Sequence, residues 1–254
     1  MTLVGLDREE RLKVTRAYPC MIVSAPNCGK STCVEFLTTE EKKETVILDL
    51  ELKGLPEDDL ELYRTIVRLK PSEVIHSTNK NLYKDTGNIK YKTLAELSIY
   101  LRAAINHKDV SRIVIDSFTA YATALETQCV SVHNGFQQWV TYNAELSAFF
   151  ALIKEECRTT GTLLYLLAHY VPAKDSKDKD SENFAKVSGS KWYRLIESQM
   201  STVVTIEDFQ FRADNTESYN STRVPRSLNP LSTEENSLVE LENLLCNLGK
   251  PKPE

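Results

Sequence analysis

Several features that would place this chain in a special class are missing from its sequence. No CxxC pair occurs, and no histidine stands at metal-site spacing from a cysteine. We therefore expect reduced thiols that serve as small apolar side chains. The net charge of −5 gives no general excess of positive charge for binding a polyanion, although a local basic groove stays compatible with it. The six cysteines are Cys20, Cys28, Cys33, Cys129, Cys157 and Cys246.

Membrane segments, leader segments and internal repeats are also missing. No apolar run approaches the roughly 18 residues of a membrane span, and acidic residues appear by Asp7 in place of an apolar leader. These absences predict a soluble, cytoplasmic protein with no membrane partner. The 254 residues, 41% of them apolar, are enough for a core. Because no change in composition marks a linker, we predict one domain over residues 1–254.

Strand-like and helix-like segments alternate through the first two thirds of the chain. Apolar runs bounded by turns predict strands over residues 20–24, 45–50, 112–116 and 162–168. Helical spacing of apolar residues predicts helices over residues 32–37, 94–105 and 136–157. Strands separated by helices favour an α/β fold with a mainly parallel, twisted sheet flanked by helices.

The pattern changes after residue 171. Residues 174–182 carry alternating charge and almost no apolar residue, which is typical of a mobile loop. Shorter strands are predicted over residues 203–206, 209–213 and 218–223, the last two forming a C-terminal antiparallel hairpin. A closing helix is predicted over residues 233–248, and residues 57–92 receive no assignment.

A phosphate-binding loop follows the first strand. The segment matches the pattern G-x-x-x-x-G-K-S/T, with Ser24 in place of the first glycine. In such a loop successive N–H groups converge on the β-phosphate, while the lysine bridges the β- and γ-oxygens and the next hydroxyl binds Mg²⁺. The sequence therefore predicts ATP and magnesium as cofactors. The predicted nucleotide-binding residues are Ser24, Ala25, Pro26, Asn27, Cys28, Gly29, Lys30, Ser31 and Thr32.

Polar residues follow three other predicted strands. Asp116 ends an apolar run and is predicted to complete the magnesium site with Ser31; a helix cap is the alternative. Glu51 is the predicted catalytic base that orients water, with Asp49 as its competitor. His169 is predicted to contact the γ-phosphate or, alternatively, to have an ordinary structural role.

Together these motifs resemble the RecA-like P-loop ATPases, and most closely the phage-encoded nucleotide-binding and single-strand annealing proteins of that class. The resembling features are the phosphate loop, Glu51 with Pro56 after it, the Asp116-Ser117 strand end and the polar sensor His169, within a core over about residues 19–225. The resemblance implies ATP hydrolysis in DNA recombination, annealing or replication. If the protein is phage-encoded, the location it implies is the host cytoplasm.

The resemblance also implies partners. It predicts single-stranded DNA binding by the loop after His169, where residues 174–191 hold five lysines against four acids. Trp192 and Tyr193 are open to base stacking or to core packing. A homo-oligomer is expected, in which Arg223 or Arg226 reaches a neighbouring subunit's ATP, together with recombination or replication proteins as partners.

Two other functions stay open. A nucleotide-gated binding or assembly module with little turnover would carry the same motifs. A P-loop kinase is less favoured, because its lid needs arginines and the loop after His169 has none.

Overall fold

A mainly parallel sheet organises the protein. The computed structural model describes residues 18–52, 55–70, 83–171, 184–185, 192, 195–213, 222–224, 228 and 230–246. Over these residues the sheet order is β10-β9-β8-β1-β6-β5-β2-β3-β4, and β7 pairs with β6. The seven strands from β8 to β4 are mutually parallel, whereas β9, β10 and β7 pair in antiparallel fashion. The strands are β1 Cys20–Ser24, β2 Thr45–Asp49, β3 Thr65–Leu69, β4 Ile89–Lys92, β5 Arg112–Asp116, β6 Leu163–Val171, β7 Phe184–Ala185, β8 Thr202–Glu207, β9 Gln210–Ala213 and β10 Leu231–Ser232.

Strand β1 is an interior strand of the sheet, and both of its faces are apolar. Met21 and Val23 belong to one hydrophobic cluster, and Cys20 and Ile22 belong to the other. All five residues of β1 are buried between the parallel neighbours β6 and β8. Continuous apolar runs of this kind are expected for strands that helices cover on both faces.

Helices cover both faces of the sheet. They are α1 Thr39–Lys43, α2 Leu94–Ile105, α3 Phe118–Val132, α4 Phe136–Thr160 and α5 Leu238–Cys246, with 3₁₀ turns at Ser31–Val34, Glu57–Asp59 and Glu197–Gln199. Helix α2 begins where Thr93 and Glu96 cap it reciprocally, and α4 ends at the left-handed Gly161. Apolar residues of α2, α3 and α4 enter one core cluster, and those of α5 enter the other.

A buried ion pair fixes α5 to the sheet. Arg112 of β5 donates from Nε and Nη2 to the two carboxylate oxygens of Glu242, each at 2.5 Å. Both side chains are almost wholly buried, and Tyr165 also donates to Glu242 at 2.8 Å. A bidentate pair of this kind orients the helix as well as holding it. Helix α5 therefore has a fixed position against the sheet.

The predicted fold class is confirmed, with corrections at four places. Residues 32–37 do not form an α-helix, because the chain makes a 3₁₀ turn and Thr38 then caps a new helix. The C-terminal hairpin pairs β8 with β9, because Phe209 lies in their turn. Two strands that were not expected, β3 and β4, lie within residues 57–92, and α5 begins at Leu238 instead of residue 233.

Two sequence predictions, the strand over residues 218–223 and the single domain over residues 1–254, extend beyond the described residues. Most of the predicted strand over residues 218–223 lies outside the described residues, and Arg223 forms an isolated bridge with Val203. In the part of the chain that the structure describes, no helix is long and apolar enough to cross a bilayer. The division of the chain into a single domain stays a prediction.

Candidate nucleotide-binding site

The predicted phosphate loop leaves strand β1 at the carboxyl edge of the sheet. Strand β1 ends at Ser24, and the loop then turns back through Asn27 and Gly29, which have φ angles of 64° and 83°. A Cβ atom on Gly29 would lie 2.8 Å from Asn236 Nδ2 and 2.8 Å from Phe209 Cδ1. Glycine is required here because both the backbone angle and the packing exclude a side chain.

Lys30 points back across the loop. Its side chain is buried, and its Nζ donates to Ser24 Oγ at 3.0 Å and to the Ala25 carbonyl at 3.2 Å. A third contact joins Nζ to His169 Nδ1 at 2.9 Å. These three acceptors therefore hold the ammonium group across the loop.

Asp116 and Ser31, the two residues predicted to hold magnesium, meet beside the loop. Asp116 ends β5, opposite Asp49 of β2 and Leu167 of β6. Burial is the main influence on the pKa of Asp116 and raises it, while a hydrogen bond from Ser31 opposes that shift. A hydroxyl oxygen and a carboxylate oxygen are hard ligands that suit Mg²⁺, so this pair fits that ion.

Glu51 and His169 face each other across the same edge. His169 Nε2 lies 2.9 Å from Glu51 Oε1, and Ser117 Oγ donates to the same carboxylate oxygen. The His169 backbone N–H donates to Thr119 Oγ1 at 2.9 Å, which fixes the end of β6 against α3. A carboxylate placed beside a phosphate loop is suited to orienting a water molecule.

Asp49, the competitor of Glu51, has another partner. Its Oδ2 lies 3.0 Å from Arg68 Nε, and its side chain is buried. Burial raises the pKa of Asp49, and the Arg68 charge opposes that shift. Of the two acids, Glu51 is the one that lines the phosphate-loop cleft.

The cleft itself is open and mixed in character. It has a volume of about 370 Å³ and is lined by the phosphate loop, Glu51 and His169 together with Leu55, Pro56 and Phe209. Phe209 is 58% exposed and has a φ of 58°, so a large apolar ring stands at the mouth of the cleft. Sequence reasoning placed Phe209 in a strand and missed this position.

Asn236 is a second site residue that sequence reasoning missed. It is 3% exposed, and its Nδ2 donates to the Gly29 carbonyl at 2.6 Å and to Thr32 Oγ1 at 2.9 Å. These partners lie 207 and 204 residues away along the chain. No local pattern could have revealed the contact.

Other predicted residues lie away from the cleft. Arg223 pairs through its backbone with Val203, which is near the amino end of β8, and its Nη1 donates to the Met200 carbonyl at 3.4 Å. Trp192 is buried and packs on Phe150 with ring centroids 5.3 Å apart, which is the core-packing alternative. Of the predicted DNA loop over residues 174–191, the structure describes only Phe184–Ala185, the strand β7 that pairs with β6. Tyr193 and Arg226 also lie outside the described residues.

The five cysteines whose side chains the structure describes agree with the expectation of reduced, mostly buried thiols. Cys20, Cys33, Cys129 and Cys157 are buried, Cys28 is partly exposed, and all five are free. Burial raises the pKa of the Cys157 thiol to about 12. No group of three or more histidine, cysteine or acidic side chains that could hold a metal ion occurs among the described residues.

Comparisons with known proteins add a structural neighbour. No protein-family model and no curated protein matches the sequence. Among solved structures the chain is similar to one titled "Crystal structure of the RadB recombinase". The identity is 14%, the match covers 76% of this chain and 77% of that chain, and the TM-score is 0.42. At this level of similarity, only the residues of the cleft can carry an assignment of function.

Proposed function

We propose that this chain is a RecA-like, Mg²⁺-dependent ATPase that acts in phage DNA recombination, single-strand annealing or replication. One observation carries the proposal. The phosphate-loop lysine, the Asp116–Ser31 pair and the Glu51–His169 pair all lie at one edge of the sheet. A phosphate anchor, a magnesium pair and a candidate base are the three parts that hydrolysis of a nucleoside triphosphate needs.

Each anchoring residue has a defined task in this proposal. Lys30 exchanges its contacts with Ser24 and His169 for phosphate oxygens, since a cation prefers a charged acceptor to a neutral one. Ser31 and Asp116 hold Mg²⁺. When bound, that ion supplies positive charge that neutralises the phosphate groups.

Glu51 is the proposed base, and His169 positions it. The carboxylate accepts from both His169 and Ser117, so its orientation is set before a water molecule arrives. The exposed ring of Phe209, at the mouth of the cleft, packs against the nucleobase of the bound nucleotide. The phosphate loop binds only the phosphate groups of the nucleotide, so an aromatic side chain complements it by binding the nucleobase.

His169 also gives the proposal its link to DNA. It sits on β6, and the chain continues from β6 into the segment predicted to bind single-stranded DNA. A change in the Lys30–His169 contact on ATP binding would therefore alter the position of the chain where that segment begins. Homo-oligomer formation, with Arg223 or Arg226 acting on a neighbouring subunit, is part of the same proposal.

The test is ATP hydrolysis by the purified chain with Mg²⁺, alone and with added single-stranded DNA. Lys30→Ala is the site variant, and Lys43→Ala is the matched control because Lys43 is exposed and pairs only with Glu40 among described residues. We expect hydrolysis that DNA raises several-fold and that Lys30→Ala abolishes. Tight ATP binding without turnover would support the nucleotide-gated binding module instead. If added DNA leaves the rate of hydrolysis unchanged, the proposed role in DNA binding is refuted and the ATPase assignment stands.

A further inference from the structure

The phosphate loop is held from outside by a residue of the C-terminal segment. Asn236 Nδ2 donates to the Gly29 carbonyl at 2.6 Å and to Thr32 Oγ1 at 2.9 Å. The Thr32 hydroxyl in turn donates to the same Gly29 carbonyl at 2.8 Å. Asn236 is 3% exposed, so water cannot readily replace it at these acceptors.

This contact sets the direction of a peptide plane. In a trans peptide the carbonyl and the following N–H point in opposite directions. Because Asn236 and Thr32 hold the Gly29 carbonyl on the outer side of the loop, the Lys30 N–H is directed to the inner side. The inner N–H groups of such a loop are the ones that bind phosphate oxygens.

Asn236 is itself fixed at both ends. On its amino-terminal side the Thr233 N–H donates to the Phe211 carbonyl at 3.0 Å, and the Phe211 N–H donates to Thr233 Oγ1 at 2.8 Å. On its carboxyl-terminal side, helix α5 is fixed by the buried Arg112–Glu242 pair. The amide therefore stands on a rigid support.

We propose that Asn236 is a positioning residue of the nucleotide site, which keeps the phosphate loop in its anion-binding form. The inference rests on the proposed nucleotide binding and deepens it. Its target is the polyphosphate part of the ligand, because Gly29 and Thr32 belong to the phosphate loop. We therefore expect loss of the amide to weaken the binding of ATP and the binding of inorganic tripolyphosphate equally.

The experiment measures Mg²⁺-dependent binding of ATP and of inorganic tripolyphosphate by calorimetry. Asn236→Ala removes the amide, and Asn236→Asp keeps the side-chain volume but cannot donate when ionised. Asn88→Ala is the matched control, since Asn88 Nδ2 also donates twice, to the Leu60 carbonyl at 2.5 Å and to the Tyr63 carbonyl at 2.7 Å, away from the cleft. Thermal unfolding of each variant reports any loss of folding.

We expect Asn236→Ala to lose about tenfold in affinity for both ligands, and Asn236→Asp to lose at least as much. Asn88→Ala should bind both like the wild type, even if its melting temperature falls equally. Wild-type affinity in a folded Asn236→Asp or Asn236→Ala protein would overturn the positioning role and leave the proposed ATPase intact. If the unmodified protein binds neither ligand, the proposed nucleotide function fails and this role fails with it.

Discussion

The Nδ1 atom of His169 lies 2.9 Å from the Nζ of Lys30, while the Nε2 atom of the same ring lies 2.9 Å from Oε1 of Glu51. Lys30 can only donate, so Nδ1 accepts from it and the neutral ring carries its proton on Nε2 and donates to Glu51. One imidazole therefore joins the phosphate anchor to the candidate base. When Lys30 turns to a phosphate, His169 still holds Glu51.

Replacing His169 by alanine should separate hydrolysis from binding. The variant loses a donor that orients Glu51, whereas Lys30 keeps its contacts with Ser24 and Ala25. We expect kcat to fall by at least tenfold and the Kd for ATP to stay within about threefold, because positioning a base affects the transition state more than the ground state. Steady-state kinetics and calorimetry measure the two values.

The control for that variant is His107→Ala. The side chain of His107 is 47% exposed and lies beside Asp109, away from the cleft. It should leave both constants unchanged. A loss in ATP affinity as large as the loss in kcat would refute the positioning role of His169.

Glu51→Gln and Asp49→Asn should have different effects although Asp49 ends β2 and Glu51 lies only two residues after it. Glu51 lines the cleft, and its amide analogue cannot accept a proton, so hydrolysis should fall by about 100-fold or more while ATP still binds. Asp49 pairs with Arg68 outside the cleft lining, so Asp49→Asn should keep most of the hydrolysis rate. Phosphate-release assays on both variants decide between the two acids. The reverse pattern would make Asp49 the base.

Gly29→Ala should abolish nucleotide binding, unlike the same change at Gly87. Both glycines have positive φ angles, 83° and 53°, at which alanine costs about 1–2 kcal/mol. Only at Gly29 would the new Cβ meet Asn236 and Phe209, because nothing lies within 4 Å of a Cβ at Gly87. Calorimetry with ATP measures the difference. Equal binding by the two variants would show that the loop tolerates a side chain and its neighbours can move.

Local patterns predicted the central strands and the phosphate loop because each is specified by adjacent residues. The apolar run before Ser24 and the glycine-lysine pair after it belong to one short segment. The ends of parallel strands meet at one sheet edge, so the neighbourhood of Asp116 and His169 also follows from the fold class.

Contacts made by distant segments could not be predicted in this way. Asn236 reaches the loop from more than 200 residues away, and nothing in its own neighbourhood indicates a partner. An aromatic residue such as Phe209 favours a strand, whereas the chain makes a turn there between β8 and β9. The TIVRL segment of β3 has strand-forming residues, but polar residues on both sides of it obscure where the strand begins and ends.

Asp116→Asn should stabilise the unliganded protein at neutral pH while it disables the site. Burial is the largest influence on the Asp116 carboxyl and raises its folded pKa above the usual value of 3.8. The folded chain thus holds this proton more tightly than the unfolded chain, so ionisation of Asp116 costs stability once the pH exceeds the folded pKa.

Asparagine has no charge to bury, and its amide oxygen can still accept from Ser31. We expect a higher melting temperature at pH 7 and a gain that shrinks as the pH falls through the raised pKa of Asp116, because the wild-type carboxyl then becomes protonated too. Asp58→Asn, at an exposed position, should show no such trend. Hydrolysis should be lost, because the magnesium pair loses its only carboxylate. If Asp116→Asn instead melts lower at pH 7, the ionised carboxylate stabilises the fold and the assigned effect of burial is wrong.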